Sequence, residues 1–300
     1  MNPRDQATPL AIEASVVIPC YNAATTLAEQ LEALACQTFS GVFEVVLVDN
    51  ASTDNSAEIA ASYADRFASL RVVRATRLKG AGYARNVGVE AAKSEYVLFC
   101  DADDVVSVQW VASMVAALQA GCLVGGGRDF RRLNADWHPV LRDHPEDLDS
   151  HTVCDVHYSG GLSHVGAGNM GVHRSLFLEL GGFDQLIPIH EDVDFCIRAQ
   201  LAGHELKHCP EAMVYIRVRQ CLGAVFRQAR VWGYWSVALL KKHRATLGDP
   251  PIFRPLLHWP LLILRVAQVR DRGDFYLWTY RVGWKIGRLF GSLMMGFFAL

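Results

Sequence analysis

The stretch Tyr96-Val-Leu-Phe-Cys-Asp-Ala-Asp-Asp104, YVLFCDADD, decides the fold. Five apolar residues in a row, followed at once by charge, read as a short strand buried on both faces. Such strands belong to parallel sheets covered by helices. The three carboxylates in Asp101-Ala102-Asp103-Asp104 stand at the strand's carboxyl end, where open α/β sheets hold their ligands. Acidic groups this close repel one another, and a cation would offset that cost. Hard oxygen donors at this spacing suit Mg²⁺ or Mn²⁺, which can bridge phosphate oxygens. Plain capping of a turn by one of the Asp residues is the structural alternative.

Outward from this strand the first hundred residues alternate strand and helix patterns. Ser15–Pro19, Phe43–Asp49 and Leu70–Arg74 read as further strands; Ala23–Cys36, Asp54–Phe67 and Gly82–Lys93 read as the crossover helices, with Asp54 and Ser56 as N-cap candidates for the second. The strand ends bring Tyr21–Asn22, Asp49–Asn50 and Asp101–Asp104 toward one place. Lys79-Gly80-Ala81-Gly82-Tyr83-Ala84-Arg85-Asn86 joins a strand to a helix start, a position that favours an anion, with Arg85 adding a fork of donors. The loop matches neither G-x-G-x-x-G nor a Walker loop, which tells against dinucleotide oxidoreductases and P-loop enzymes.

Beyond Cys122 a strand and a long polar loop region are expected up to Tyr158, then renewed periodicity over Asn169–Leu180 and a turn at Gly181-Gly182. A helix follows over Glu191–Ala202, then a short strand pair, a long helix over Leu222–His243, a Pro-broken apolar stretch over Pro250–Arg265, and a last helix from Phe275 onward. His190-Glu191-Asp192-Val193-Asp194 opens the first of these helices. Its acidic residues either serve the helix dipole or present a carboxylate as general base.

The 300 residues are 51% hydrophobic and 20% charged, which supports a sizeable core and excludes a disordered chain. The net charge of −2 conceals an asymmetry: residues 201–300 hold 15 Lys/Arg against 5 Asp/Glu, and residues 1–200 hold 14 against 26. No stretch has the roughly 18–20 apolar residues of a membrane span. Met1–Ser15 lacks a secretory pattern, and the eight scattered cysteines form no Cys-x-x-Cys pair. Reduced thiols in the cytoplasm are expected, rather than disulfides or zinc.

Six segments taken in order resemble family 2 glycosyltransferases, the inverting enzymes of GT-A fold. They are Ser15–Asn22, Val48–Asp54, Gly80–Gly88, Phe99–Asp104, Gly168–Asp184 and Glu191 through Arg198 to Gly203, together spanning about residues 14–215. The resemblance implies a mostly parallel, Rossmann-like sheet flanked by helices, with a C-terminal helical extension. It implies a catalytic domain over 1–218, whose nucleotide-sugar half is about 1–120 and acceptor half about 121–218, and a tail over 219–300. It places Pro19, Tyr21, Asn22, Asp49, Asn50, Gly80, Arg85, Asp101 and Ala102 around a nucleotide-sugar donor, and Asp101 and Asp103 on a divalent metal. Asp192, beside Glu191, then deprotonates the acceptor hydroxyl, and the sugar is transferred with inversion to a glycan or lipid-linked acceptor.

Three features depart from the family pattern. Asn50 stands where many members have a second Asp, Ile216 stands near a position that often carries a metal-binding histidine, and Gln228-Ala229-Arg230-Val231-Trp232 is not the Gln-x-x-Arg-Trp of processive synthases. The last favours transfer of single sugars; the second leaves a catalytically silent, nucleotide-binding scaffold subunit as the alternative. A sugar-1-phosphate nucleotidyltransferase would want a Gly-rich basic loop after the first strand, and Cys20–Ala23 is not one.

The tail combines Arg227, Arg230, Lys241, Lys242 and Arg244 with Phe226, Trp232, Tyr234 and Trp235; Arg281, Lys285 and Arg288 add a stripe on the last helix. This pattern suits peripheral contact with an anionic membrane at its cytoplasmic face. The alternative is that these helices pack on the body or on a second subunit. Gly283, Gly287 and Gly291 form a ridge that permits close helix contact, including in a homo-oligomer. Nucleic acid is not an expected partner, since the body is acidic and no recognition motif is present.

Overall fold

The computed structural model describes residues 11–139, 154–155, 161–248, 259–262 and 264–299. Strands β1 (Ala14–Cys20), β2 (Phe43–Asp49), β3 (Leu70–Arg74) and β4 (Tyr96–Cys100) pair in parallel in the order β3-β2-β1-β4. The sheet continues through β9 (Asn169–His173), β6 (Leu123–Asp129), β10 (Leu206–Tyr215) and the short β5 (Val105–Val106). Strand β9 runs antiparallel to both neighbours, β6 and β10 are parallel, and β5 is antiparallel. A two-stranded ribbon, β7 (Cys154–Asp155) with β8 (Ser163–His164), lies apart from this sheet.

Period-two alternation divides the strand side chains between two cores. Val16, Ile18, Val45, Leu47 and Leu98 join Leu27, Leu31 and Leu34 of α1 (Leu27–Ala35) and Trp110 and Met114 of α4 (Trp110–Ala120). On the other face Val17, Val46, Val48 and Phe99 meet α3 (Ala81–Ala91) and an aromatic group of Phe177, Phe183 and Phe195. Phe99 has no exposed surface, and burying such a ring contributes about 2–3 kcal/mol.

Several boundaries depart from the sequence reading. Helix α2 is only Ser56–Ser62, followed by a 3₁₀ turn at Ala64–Arg66, and its N-cap is Asn55, which makes no side-chain cap bond. Asp54 instead accepts the Ser56 amide at 3.1 Å and the Ala24 amide at 3.0 Å, tying the end of β1 to this turn. The periodic stretch after residue 168 divides into β9 and the short α5 (Arg174–Glu179). The expected short strand pair is one ten-residue strand, β10. Pro210 has no N–H to give the ladder, and its register against β6 shifts between Cys209 and Val214. The Pro-broken stretch lies mostly outside the described residues.

After α6 (Glu191–Leu201) and β10, the tail forms two long parallel helices, α7 (Leu222–Lys242) and α8 (Arg272–Met295). The glycine ridge makes this contact within the chain. A Cβ on Gly283 would lie 2.7 Å from the Phe226 carbonyl and one on Gly291 2.7 Å from that of Tyr234; one on Gly287 would overlap the Arg230 carbonyl. A third core of Val193, Ile197, Val237, Leu239, Leu240, Leu247 and Phe297 seats the tail on α6. Among the described residues no helix is long and apolar enough to cross a membrane.

Candidate active site

The carboxyl ends of β1 and β4 and the start of α3 enclose a cleft of about 590 Å³. Of the residues expected there from sequence, Pro19, Tyr21, Asn22, Asn50, Gly80, Arg85, Asp101, Ala102 and Asp103 line it; Asp49 does not, and its carboxylate accepts the Ser52 amide at 3.0 Å. Tyr21 is 58% exposed. Asn22 takes a left-handed conformation (φ 50°), and its Oδ1 accepts the Thr53 amide at 2.8 Å. Asn50 is buried and fully engaged. Its amide group donates to the carbonyls of Ala75 and, at 2.8 Å, Leu78, while its Oδ1 accepts the Gly80 amide at 2.9 Å. The side chain thereby fixes the loop that carries Lys79 into the cleft.

Arg85, 5% exposed, joins two acidic groups far apart in sequence. Its Nη2 donates to Asp101 Oδ1 at 2.6 Å and its Nη1 to Glu191 Oε1 at 3.1 Å. Burial opposes its charge, and Asp101, Glu191 and Asp192 more than restore it. Glycines make room for this junction: a Cβ on Gly82 would lie 2.9 Å from Glu191 Cγ, and one on Gly168 would lie 2.6 Å from Asp101 Oδ2. Burial, reinforced by Asp192, raises the Glu191 carboxyl to about 7. Asp192 is less buried and turns elsewhere: Oδ2 accepts the Ala167 amide at 3.0 Å and Oδ1 the Val193 amide at 2.8 Å.

The carboxylate oxygens of Asp101, Asp103 and Asp104 offer ligand atoms within 4.8 Å of one another. Burial raises Asp103, with Asp101 adding to it, and burial together with Asp101 and Asp103 pushes Asp104 up to about 8. Carboxylates crowded this closely fit a hard divalent cation, which would relieve their repulsion. Asp101 and Asp103 reach the cleft, while Asp104 accepts the Arg217 amide at 2.7 Å.

Sequence reasoning missed several supports of this turn. Gln30, wholly buried, donates to the Asp101 carbonyl at 3.1 Å and accepts the Val106 amide at 3.0 Å; Thr26 Oγ1 donates to the Ala102 carbonyl at 3.1 Å. A polar residue at Gln30, on the helix face shared by Leu27, Leu31 and Leu34, was the available signal. Arg217, next to Ile216, also lines the cleft; its Nε donates to the Asp103 carbonyl at 3.0 Å and its Nη2 to Glu29 at 2.8 Å.

Comparison with known proteins agrees with this architecture. The sequence model of Glycosyl transferase family 2 matches residues 15–181, more than half of the chain, and the chain belongs to that family. The uncharacterized glycosyltransferase YibD of Escherichia coli is 38% identical over 124 residues, covering 41% of this chain and 34% of that protein. The amylovoran biosynthesis glycosyltransferase AmsB of Erwinia amylovora is 30% identical over 207 residues, 64% of this chain and 65% of that protein. The chain thus spans a third to just under two thirds of the length of these relatives. Among solved structures, the mannosyltransferase PcManGT of Pyrobaculum calidifontis, in complex with GDP-Man and Mn²⁺, superposes with a TM-score of 0.62 at 21% identity, covering 98% of this chain and 90% of that one. S. aureus TarS 1-349 in complex with UDP-GlcNAc gives 0.55 at 20% identity, covering 95% and 92%. At these identities the likeness establishes the GT-A fold.

Proposed function

We propose that the protein transfers a single sugar, with inversion, from a nucleotide-sugar donor to a hydroxyl of a glycan or lipid-linked acceptor. The observation that carries this reading is Arg85, which brings Asp101 of the cleft and Glu191 of the acceptor half together through one guanidinium. A nucleoside diphosphate suits the cleft: Tyr21 offers an exposed ring for the base, and Lys79, Arg85 and Arg217 offer cations toward phosphate. Relatives and neighbours named for UDP-GlcNAc, GDP-Man and amylovoran biosynthesis support a nucleotide-sugar donor and a cell-envelope glycan as product.

Asp192 is the general base. Two backbone amides fix its carboxylate and leave further lone pairs for an acceptor O–H. The acceptor oxygen bonds to the anomeric carbon as the bond to the diphosphate breaks; that electron pair leaves with the nucleoside diphosphate, and the proton passes to Asp192. Glu191 is held on Arg85 and orients it. Asp101 and Asp103 would hold a divalent cation, which when bound neutralises charge on the leaving diphosphate. The intact set Asp101, Asp103 and Asp192 stands against a silent scaffold.

The tail supports contact with an anionic membrane at its cytoplasmic face. Phe290, Leu293, Met294 and Phe298 are exposed at the end of α8, close to Lys241 and Arg244, which contact Met295 and Phe297. Release of nucleoside diphosphate from a panel of UDP-, GDP- and dTDP-sugars, with and without Mn²⁺, tests the enzymatic reading. Asp192→Asn should abolish turnover and leave donor binding within about threefold of wild type. Folded protein that binds none of the panel overturns it. Salt-sensitive binding to anionic vesicles that is lost in Leu293→Ser/Met294→Ser supports the membrane contact; equal binding removes it.

A further inference from the structure

One residue beside the acidic pair is in a conformation its side chain does not favour. His190, the N-cap of α6, has φ 68° and ψ 20°, the left-handed region that Cβ-bearing residues rarely enter outside sites that hold them there. Its carbonyl accepts the Asp194 amide at 2.9 Å and so closes the first turn of α6, the turn that contains Glu191 and Asp192. Holding such a backbone requires contacts from outside the helix, and they come from the tail. His190 Nε2 donates to the Trp232 carbonyl of α7 at 3.0 Å. The ring lies 6.2 Å from that of Trp232 and 6.1 Å from that of Trp284 on α8.

The partner carbonyl is itself well fixed. Gly233, the next residue, has no Cβ, and any Cβ there would overlap the Trp284 carbonyl, so α7 and α8 lock together beside the bond His190 makes. A second clamp lies four residues on, where Asp194 accepts from Lys242 at 2.6 Å and from His243 at 2.8 Å, both at the end of α7. The tail therefore holds the first turn of α6 at both ends.

We propose that His190 is a positioning residue through which the C-terminal helix pair sets the pose of the Glu191–Asp192 turn against Arg85 and Ala167. The catalytic part of this inference rests on the glycosyl-transfer reading above; its structural part does not. The tail is then part of the active-site framework as well as any surface contact it makes. Burial lowers the His190 pKa from its ordinary value, against the Trp232 hydrogen bond and the charge of Asp192, and the bond to the Trp232 carbonyl puts a proton on Nε2.

The test compares His190→Gly, His190→Ala, His190→Gln and Trp284→Leu in the full chain. Glycine accepts the left-handed backbone without strain yet lacks the ring, so it separates relief of strain from loss of the tether. Amide hydrogen exchange in the first turn of α6 should rise by about tenfold or more in the Gly, Ala and Leu variants, with little change in the β1–β4 sheet, and should return toward wild type in Gln, whose amide can reach Trp232. Turnover of whichever panel donor the wild type uses should fall by about tenfold or more in Gly and Ala, with donor Kd within about threefold, and recover in part in Gln. Wild-type exchange and wild-type turnover in His190→Gly overturn the proposal. A wild-type protein that turns over no donor defeats the glycosyl-transfer reading instead, and the exchange experiment still decides whether His190 tethers the turn.

Discussion

Replacing Asp194 by Asn tests how much of the fold depends on the junction between α6 and the tail. Asp194 has no exposed surface and accepts from Arg198 Nε at 2.8 Å, Lys242 Nζ at 2.6 Å and His243 Nε2 at 2.8 Å. Burial alone would raise its pKa. The hydrogen bonds from His243 and Lys242, with the charge of Arg198, overcome burial and bring the carboxyl from 3.8 to about 2. Keeping it ionised in the folded state contributes about 2 kcal/mol, since each pKa unit is worth about 1.4 kcal/mol. Asn keeps the shape but loses the charge and turns an N–H₂ toward donors, so the total loss at pH 7 should be about 3 kcal/mol, or about 5 °C in Tm. The sign with pH is fixed by the lowered folded-state value: the contribution is complete above about pH 5 and is lost as pH falls through 3.8 toward 2. Urea unfolding of wild type and variant, followed by tryptophan fluorescence, should show the gap narrowing by about 1 kcal/mol between pH 7 and pH 3. A gap below about 1 kcal/mol at pH 7, or one unchanged at pH 3, refutes the assignment of Asp194 as the anionic centre of this junction.

Two further substitutions probe features fixed by geometry. Asn50→Asp puts a carboxylate against the carbonyls of Ala75 and Leu78, to which the amide now donates; a loss of about 2 kcal/mol in unfolding free energy and weaker donor binding are expected, and an unchanged melting curve would show that the loop is held by other means. Gly287→Ala drives a methyl into the Arg230 carbonyl and should separate α7 from α8 at a cost of about 1–3 kcal/mol, read in urea unfolding and in faster exchange along both helices. A neutral result would mean that the two helices approach less closely than the ridge implies.

The fold was legible where local pattern and tertiary need coincide. The strands Phe43–Asp49 and Tyr96–Cys100 occupy the expected residues because apolar runs buried on both faces leave little freedom in placing the ends, and the half-exposed edge strand Leu70–Arg74 pairs in register beside the first of them. Asp101, Asp103 and Arg85, singled out by their position after a strand and at a helix start, come together at one cleft. The roles of Gln30, Asn50 and His190 were not legible. Each depends on a backbone carbonyl or amide brought from elsewhere by the fold: Asp101 and Val106 for Gln30, Ala75 to Gly80 for Asn50, Trp232 for His190. Main-chain partners leave little trace in residue type beyond a polar side chain on an apolar face, as at Gln30. Asn50 shows the consequence: the sequence marks it only as a departure from the Asp of many family members, whereas in the structure its donor and acceptor functions are both occupied by the loop that forms the cleft wall.

The charge division between body and tail takes on a different meaning once its partners are named. Lys242 faces Asp184 and Asp194, Lys241 caps the Met295 carbonyl, Arg217 joins Glu29 to the Asp103 backbone, and Arg288 holds the Ala299 carbonyl. Part of the positive excess is therefore internal complementarity, and Lys242 in particular ties the tail to Asp184 and to Asp194 of α6. Arg227, Arg230 and Arg281 are exposed and remain available to an anionic surface. Salt separates these pairs from the proposed surface contact: the partly buried pairs around Asp194 are screened little, whereas a contact made by exposed arginines would weaken beyond a Debye length of about 8 Å at physiological ionic strength. Raising salt should thus release the protein from anionic vesicles while α6 stays clamped, so that loss of surface binding and loss of the active-site framework occur under different conditions.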